Sequence, residues 1–265
     1  MLFKKLPESS GLRLRIPLPF VDRERTLPPI ASKTFREQHP EFIEGEPGQP
    51  TVAFFTGCGI NYLYPEIGEA MLKAGTTVEQ LADQNLEALN RKPVDHIVTA
   101  CASCNAGLGK IYAEMGEPFE QMAAKVEDIF VFLARHGLPE KLAALPKKEK
   151  RVRVTYHDPC HLRTRGITKE PRQILKALPQ VDYIEMADAG TCCGLGGTYS
   201  VYHYETSQKI GAKKAQNIND SQAEMVATDC PGCIMQLQDS INHAGQKQQA
   251  VHILNLLVEA LDELG

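Results

Sequence analysis

The sequence predicts an α/β fold of two pseudo-repeated domains, each a parallel sheet with cysteine loops at the carboxyl ends of its strands. Short apolar runs rich in strand-forming residues alternate with segments whose apolar residues recur at helical spacing. This alternation is typical of a parallel sheet covered by helices. In addition, strand, helix and cysteine follow one another in the same order in both halves of the chain.

The first half supplies the simpler copy of this pattern. Its predicted elements are, in order, a strand at 51–55, helices at 65–74 and 78–91, a strand at 95–100, and a helix that starts near 101. Residues 1–50 are rich in proline and charge, which predicts an extended lead-in without its own apolar periodicity.

The second half repeats the order of the first. VRVTYHDPC (152–160) corresponds to VAFFTGC (52–58), and EMVATDCPGC (224–233) corresponds to HIVTACASC (96–104). Cys58 and Cys160 lie 102 positions apart, whereas the first cysteines of the two CxxC pairs, Cys101 and Cys230, lie 129 positions apart. The second copy is therefore 27 residues longer between its leading cysteine and its CxxC pair. The additional piece contains the stretch TCCGLGG. We therefore predict a first domain at residues 51–145, which lacks this loop, and a second, complete domain at residues 150–265.

Five cysteines of the second half each follow a predicted strand or lie in the loop beyond it: Cys160, Cys192, Cys193, Cys230 and Cys233. The loops at the carboxyl ends of parallel strands gather at one edge of a sheet, so these thiols can meet. One tetrahedral zinc ion is satisfied by four ligands, whereas iron–sulfur clusters are commonly held by several thiolates. The pattern favours a cluster of several irons.

Three other interpretations of these cysteines stay open from the residues alone. The adjacent Cys192 and Cys193 could form a vicinal disulfide, and Cys230 and Cys233 could form a thiol redox pair. The cysteines could also be inert core residues. A predicted helix begins at CPGC (230–233), where the backbone N–H groups and the helix dipole favour thiolate over thiol.

Composition excludes several functional classes. The chain has 265 residues and a formal net charge of −4, so nothing indicates a nucleic-acid partner. It contains no apolar run near the ~18 residues that a transmembrane helix needs. Arginines and prolines interrupt the N-terminal apolar residues, which argues against a signal peptide and favours a cytoplasmic protein. No glycine-rich phosphate loop follows a strand, so no nucleotide cofactor is expected.

The second-half pattern carries a family resemblance. Cys160, Cys192-Cys193-Gly194 and Cys230-Pro-Gly-Cys233, together with YHDPCHLR (156–163), resemble the CCG cysteine-rich domain over roughly residues 50 to 262. That family includes a cysteine-rich subunit of heterodisulfide reductase, the iron–sulfur subunits of glycolate and lactate oxidation, and one subunit of anaerobic glycerol-3-phosphate dehydrogenase. The resemblance implies a 4Fe–4S cluster, of cubane or non-cubane type, that is ligated by all five second-half cysteines.

The chain departs from the family pattern in its first half. That copy keeps only Cys58, Cys101 and Cys104, a set that predicts zinc or a second cluster with one further ligand. His96 is the nearest imidazole in sequence, but it lies within a predicted strand and is expected to be a packed or surface residue. The repeated CxxCxxCxxxCP motifs of a ferredoxin module are absent from the sequence, so we expect a ferredoxin-like partner subunit.

Polar residues around the cysteines have two interpretations each. His157 and His161 are possible proton donors to a substrate or to cluster sulfurs, or else local structural residues. Asp158 is expected to cap the turn that follows it. The lysines of KIGAKKAQNIN (209–219) are expected to lie on a solvated helix face.

The resemblance implies an iron–sulfur electron-transfer subunit of a cytoplasmic oxidoreductase complex. Its electrons would come from a flavoprotein dehydrogenase subunit that oxidises a small 2-hydroxy acid such as lactate or glycolate. Any membrane association would be peripheral and made through partners. Two alternatives remain: a heterodisulfide-reductase-like catalytic subunit that reduces a disulfide at the cluster, and a zinc-stabilised interaction protein without a redox role.

Overall fold

The computed structural model describes most of the chain after residue 92 and shorter stretches before it. The described residues are 3–5, 12–14, 25–26, 28, 31–40, 52–67, 69, 89, 93–197 and 199–261. The helices predicted at 65–74 and 78–91, and most of the predicted lead-in, therefore fall largely outside the described residues.

Two short strands and one short helix lie within the predicted lead-in. The strands β1 (Phe3–Lys5) and β2 (Leu12–Leu14) pair antiparallel. The helix α1 (Phe35–Gln38) begins with a capping box between Thr34 and Glu37. The composition of this stretch did not predict these local elements.

The chain forms two compact units whose segments interleave along the sequence. The first-sheet unit comprises residues 31–147, 161–179 and 253–265. The second-sheet unit comprises residues 1–30, 148–160 and 180–252. The boundaries that we derive from the sequence repeat stay a prediction.

The first-sheet unit contains a three-stranded parallel sheet. Its strands are β3 (Val52–Phe55), β4 (His96–Thr99) and β5 (Val126–Asp128), in the order β3-β4-β5. Ile97 lies opposite both Ala53 and Val126, and all three side chains are buried in the core of the unit. Two of the strands lie where the apolar runs of the sequence predict them.

The second-sheet unit contains a four-stranded parallel sheet. Its strands are β6 (Val152–Tyr156), β7 (Val181–Tyr183), β8 (Met225–Thr228) and β9 (Gln249–His252), in the order β7-β6-β8-β9. The last three residues of both central strands are buried, as expected where helices cover both faces of a parallel sheet. The predicted α/β class with parallel sheets is thereby confirmed.

Helices connect and cover the strands. After α1 they are α2 (Gly57–Tyr62), α3 (Ala102–Ala106), α4 (Phe119–Ala123), α5 (Ile129–Arg135), α6 (Leu138–Ala143), α7 (Cys160–Arg163), α8 (Lys169–Ala177), α9 (Tyr199–Tyr202), α10 (Tyr204–Asp220), α11 (Pro231–His243) and α12 (Ile253–Leu261). A π-helical segment follows α3, and a short 3-10 turn comes after it. Among the helices of the described residues, none is long and apolar enough to cross a membrane.

Candidate functional site

Three buried side chains converge at the carboxyl end of the second sheet. One ligand atom each from His157, Cys193 and Cys233 lies within 4.8 Å of the other two. The sulfurs of Cys193 and Cys233 are 3.6 Å apart. The structure thus brings together two of the five predicted cysteines and one of the two predicted histidines.

Strand ends position two of these three residues. His157 directly follows β6, and its N–H donates to the carbonyl of Ala227 in β8, so the ends of the two strands are aligned. Cys230 is the N-cap of α11 with extended backbone, and Pro231 occupies the first helical position, which suits its fixed φ. Cys233 therefore lies in the first turn of α11, as CPGC predicts.

The loop that carries Cys193 is fixed by the glycine that follows it. Gly194 has φ +100°, a conformation that side chains rarely adopt. Its carbonyl accepts a hydrogen bond from the hydroxyl of Ser207 at 2.8 Å, and its N–H donates to the sulfur of Cys192 at 3.3 Å. A Cβ at this position would lie 2.7 Å from the backbone oxygen of Ser207. Glycine is therefore needed for this loop to approach α10.

The other three predicted cysteines are on the same loops but outside this tight group. Cys230 is buried, Cys160 is half-buried and Cys192 is exposed. The seven cysteines whose side chains the structure describes are all free thiols, so the described residues contain neither a vicinal disulfide nor a closed redox pair.

The thiols of the site do not ionise equally. Hydrogen bonds from the Cys192 thiol and then the Cys233 thiol hold the pKa of Cys193 well below its ordinary value, although burial opposes this shift. The same hydrogen bonds raise the pKa of Cys192 and of Cys233, and burial raises both further. These hydrogen bonds favour a thiolate at Cys193 over one at Cys192 or Cys233.

The donor set fits a metal or an iron–sulfur group. His157 is 1% exposed, and neither ring nitrogen makes a hydrogen bond of ordinary geometry among the described residues, although its ring also helps to lower the pKa of Cys193. A ligand, a water molecule or an ion would satisfy buried polar atoms of this kind. Two thiolates on one tetrahedral metal at ~2.3 Å would be about 3.8 Å apart, close to the observed sulfur–sulfur distance.

His161, the second predicted proton donor, is an exposed residue of the first-sheet unit. Its Nδ1 lies 3.1 Å from the hydroxyl of Ser103. Its role as a proton donor stays a prediction.

The first-half cysteines belong to the first-sheet unit. Cys58 is on α2, Cys101 is the N-cap of α3 and Cys104 lies in that helix. A Cβ at Gly57 would lie 2.7 Å from the sulfur of Cys104, so glycine there allows the thiol to approach the α2 backbone. Metal binding at these cysteines stays a prediction.

The contacts of His96 are with other residues than those cysteines. Its Nδ1 is 2.7 Å from a carboxylate oxygen of Glu127, and its ring packs against Phe132. These contacts agree with the expectation of a packed histidine.

Lys214 contradicts the expected solvated lysine face of α10. Its side chain is 1% exposed, and its Nζ donates hydrogen bonds to the carbonyls of Asp188 and Ala189, in the turn before Cys192. The sequence did contain a signal for this burial. Ser207, Gly211, Lys214 and Ile218 recur at helical spacing and form the buried stripe of α10.

Comparison with known proteins finds a similarity in both halves of the chain. Residues 73–109 and 154–238 match the family model described as the CCG cysteine-rich domain. The chain is 33% identical over 274 residues to a fumarate reductase (CoM/CoB) subunit of Methanothermobacter marburgensis, a match that covers 91% of this chain and 53% of that protein. The chain spans about half the length of this and similar curated relatives.

Two further relatives have bacterial sources. The chain is 29% identical to the probable glycolate oxidase iron-sulfur subunit of Bacillus subtilis, with coverage of 95% of this chain and 64% of that protein. It is also 29% identical to one subunit of the anaerobic glycerol-3-phosphate dehydrogenase of Escherichia coli K12, with coverage of 91% and 67%. Both halves of the chain therefore contain a stretch that matches the CCG cysteine-rich domain.

Proposed function

We propose that this chain is an iron–sulfur electron-transfer subunit of an oxidoreductase complex. The observation that carries this proposal is the buried convergence of His157, Cys193 and Cys233 at the carboxyl end of a parallel sheet. Thiolates are the usual ligands of iron–sulfur clusters, and the chain is similar to a protein named as a probable iron–sulfur subunit. The proposed ligands of the cluster are Cys160, Cys192, Cys193, Cys230 and Cys233.

The proposed cofactor is a 4Fe–4S cluster, of cubane or non-cubane type. When bound, it would accept and release single electrons. The chain's own residues would set its environment. Cys193, Cys230 and Cys233 are buried, which keeps water away, and the N–H of Gly194 donates to the sulfur of Cys192. His157 would place a buried imidazole beside the sulfurs, where it could hold a proton.

We also propose that the two sheets are copies of one ancestral domain. The strand order β3-β4-β5 parallels β6-β8-β9, and β7 is the additional strand of the longer copy. The N-cap residues Cys101 and Cys230 follow equivalent strands with similar backbone angles, φ −150° and ψ 115° against φ −137° and ψ 113°. These similarities support cysteine loops at the carboxyl ends of both sheets, with zinc or a second cluster at Cys58, Cys101 and Cys104.

The proposed electron donor is a flavoprotein dehydrogenase in the cytoplasm that oxidises a 2-hydroxy acid such as lactate or glycolate. A ferredoxin-like subunit would carry electrons from this dehydrogenase to the present chain. This part of the proposal is supported by the names of the relatives, one of which is a probable glycolate oxidase iron–sulfur subunit.

An electron-transfer assay tests the proposal. The full chain, affinity-tagged in its own host and purified anaerobically, is examined for co-purified flavin, and the cluster absorbance is followed after addition of lactate or glycolate. We expect bleaching by one of these acids. Re-oxidation of the reduced cluster by an added disulfide would instead favour a disulfide reductase. Colourless protein that contains zinc would contradict both redox functions and favour an interaction protein.

A further inference from the structure

Two adjacent lysines of α10 have opposite environments. The side chain of Lys213 is 67% exposed and pairs with the carboxylate of Asp188 at 3.1 Å. Lys214 is 1% exposed. A buried lysine is rare and costly unless its ammonium group is satisfied, so its burial calls for a physical reason.

Lys214 binds the turn that leads into the cysteine pair. Its Nζ donates to the carbonyl of Asp188 at 2.5 Å and to the carbonyl of Ala189 at 3.1 Å. Asp188 has φ 52°, in the left-handed region that residues with a Cβ seldom occupy. The N–H and hydroxyl of Thr191 donate to the same Asp188 carbonyl, at 3.0 and 2.8 Å. Three donor groups thus hold this turn in an unfavourable backbone conformation.

The same contacts connect two cysteine loops. The carbonyl of Ala189 also accepts a hydrogen bond from the N–H of Asp158 at 3.2 Å. Asp158 lies two residues before Cys160, and Ala189 lies three residues before Cys192. The ammonium group of Lys214 therefore lies where the loop of the first cysteine meets the loop of the cysteine pair.

The charge of Lys214 is set by the same surroundings. Burial lowers its pKa to about 8, and the negative charges of Cys193, Asp188 and Asp158 act in the opposite direction. At neutral pH the side chain remains a cation. In a buried environment, where charges are weakly screened, its field reaches the thiolates.

We propose that Lys214 is a positioning residue that anchors the Cys192–Cys193 loop and, as a buried cation, stabilises the reduced state of the group held by these cysteines. This inference rests on the proposed function. Reduction adds one electron and therefore one negative charge to the cluster. Lys214 keeps its proton, and no bond to it forms or breaks. A nearby fixed cation favours the more negative state, so it raises the reduction potential.

Four proteins test the proposal: wild type, Lys214→Met, Lys214→Gln and Lys213→Met. Lys214→Gln keeps a hydrogen-bond donor without the charge, whereas Lys213→Met removes the same charge one residue away on the exposed surface. The readout is the midpoint potential, from a dithionite titration of the full chain that is followed by EPR.

We expect Lys214→Met and Lys214→Gln to shift the equilibrium toward oxidised cluster by roughly tenfold, which is about 59 mV lower for one electron. Lys213→Met should keep the wild-type potential, since solvent and salt screen an exposed charge. Wild-type potentials in both Lys214 variants with full iron content would overturn the charge-compensating role.

Hydrogen exchange of the apoprotein separates this inference from the proposed function. In Lys214→Met the amides of residues 189–194 should lose protection, whereas Lys213→Met should leave them unchanged. If the wild type binds no iron, the proposed function fails, and the exchange measurement still decides whether Lys214 anchors the loop. Equal protection in both variants would overturn the anchoring role.

Discussion

A single buried hydroxyl links the central strand of the second sheet to the cysteine helix. The hydroxyl of Tyr156, at the end of β6, donates to the carboxylate of Asp229 at 2.7 Å, and both residues are buried. Asp229 immediately precedes Cys230, the N-cap of α11. This bond therefore helps to fix the turn in which CPGC begins.

Removal of that hydroxyl should destabilise the protein. Tyr156→Phe withdraws the donor from a buried carboxylate, which costs about 1–3 kcal/mol of the free energy of unfolding. The neighbouring Thr155 is a matched control, because its buried hydroxyl has no hydrogen-bond partner among the described residues. Thr155→Val should be neutral or stabilising. Denaturant unfolding under anaerobic conditions measures the free energy of unfolding of both variants. An equal loss of stability in Tyr156→Phe and Thr155→Val would contradict this account.

Asp128 makes the stability of the first-sheet unit depend on pH. It is fully buried at the end of β5 and accepts the N–H of Phe130 at 2.9 Å as the N-cap of α5. Burial raises its pKa to about 7, against the opposing effect of that hydrogen bond. Between about pH 4 and 7 the folded protein retains a proton that the unfolded chain has released. The free energy of unfolding therefore falls as pH rises through this window.

Asp128→Asn tests this dependence, because asparagine keeps the cap without ionising. The difference in the free energy of unfolding between the variant and wild type should shift in favour of the variant by about 2 kcal/mol from about pH 5.5 to about pH 8. Thermal unfolding at the two pH values measures the difference. Parallel pH profiles of the two proteins would show that Asp128 does not titrate in this range.

At the residue scale, the sequence predicts that five thiols of the second half gather, and the structure brings two of them, Cys193 and Cys233, into one tight group. Both lie beyond the carboxyl ends of parallel strands, which meet at one edge of the sheet. The burial of Lys214 was not predicted, because a lysine is usually exposed and its place in the buried stripe of α10 was not recognised. The burial of the His157 ring depends on which strands surround it, and the local sequence does not contain that information.

At the scale of elements, the loop at residues 191–197 depends on where its glycines lie. Gly194 and Gly197 both have positive φ, but a Cβ at Gly194 would meet backbone whereas one at Gly197 would meet nothing within 4 Å. Gly197→Ala should therefore cost only the backbone strain, about 1–2 kcal/mol. Gly194→Ala should lower the free energy of unfolding by more than this, because the Ser207 backbone would also have to move.

Thermal unfolding and iron content measure the two glycine variants. We expect Gly194→Ala to lose both stability and bound iron, and Gly197→Ala to keep its iron. Equal iron content in the two proteins would mean that the close approach of Gly194 to α10 does not position the cysteine pair.

The pattern around a segment, more than its length, decides how well the sequence predicts it. β6 and β8 have five and four residues, and each precedes a cysteine segment that corresponds to one in the first half. In contrast, β5, β7 and β9 have three or four residues with mixed polarity, and no corresponding segment identifies them. These strands form because a neighbouring strand supplies their hydrogen bonds, which is a tertiary effect.

At the scale of the whole molecule, each compact unit contains segments that are distant in sequence. Residues 161–179 and 253–265 belong to the first-sheet unit although they lie in the second half of the chain. Packing between distant segments decides this arrangement. The repeat of motifs that we describe in the sequence does not show which unit each helix joins.

The most direct test of the central claim is the content of iron, acid-labile sulfide and zinc in anaerobically purified protein, with its EPR spectrum, for wild type and Cys192→Ser/Cys193→Ser. Cys104→Ser is the matched control in the first-sheet unit. We predict about four irons and four sulfides per chain from the second-sheet cysteines, lost in the double variant and retained in Cys104→Ser. Zinc without sulfide, even after anaerobic reconstitution, would contradict the electron-transfer function.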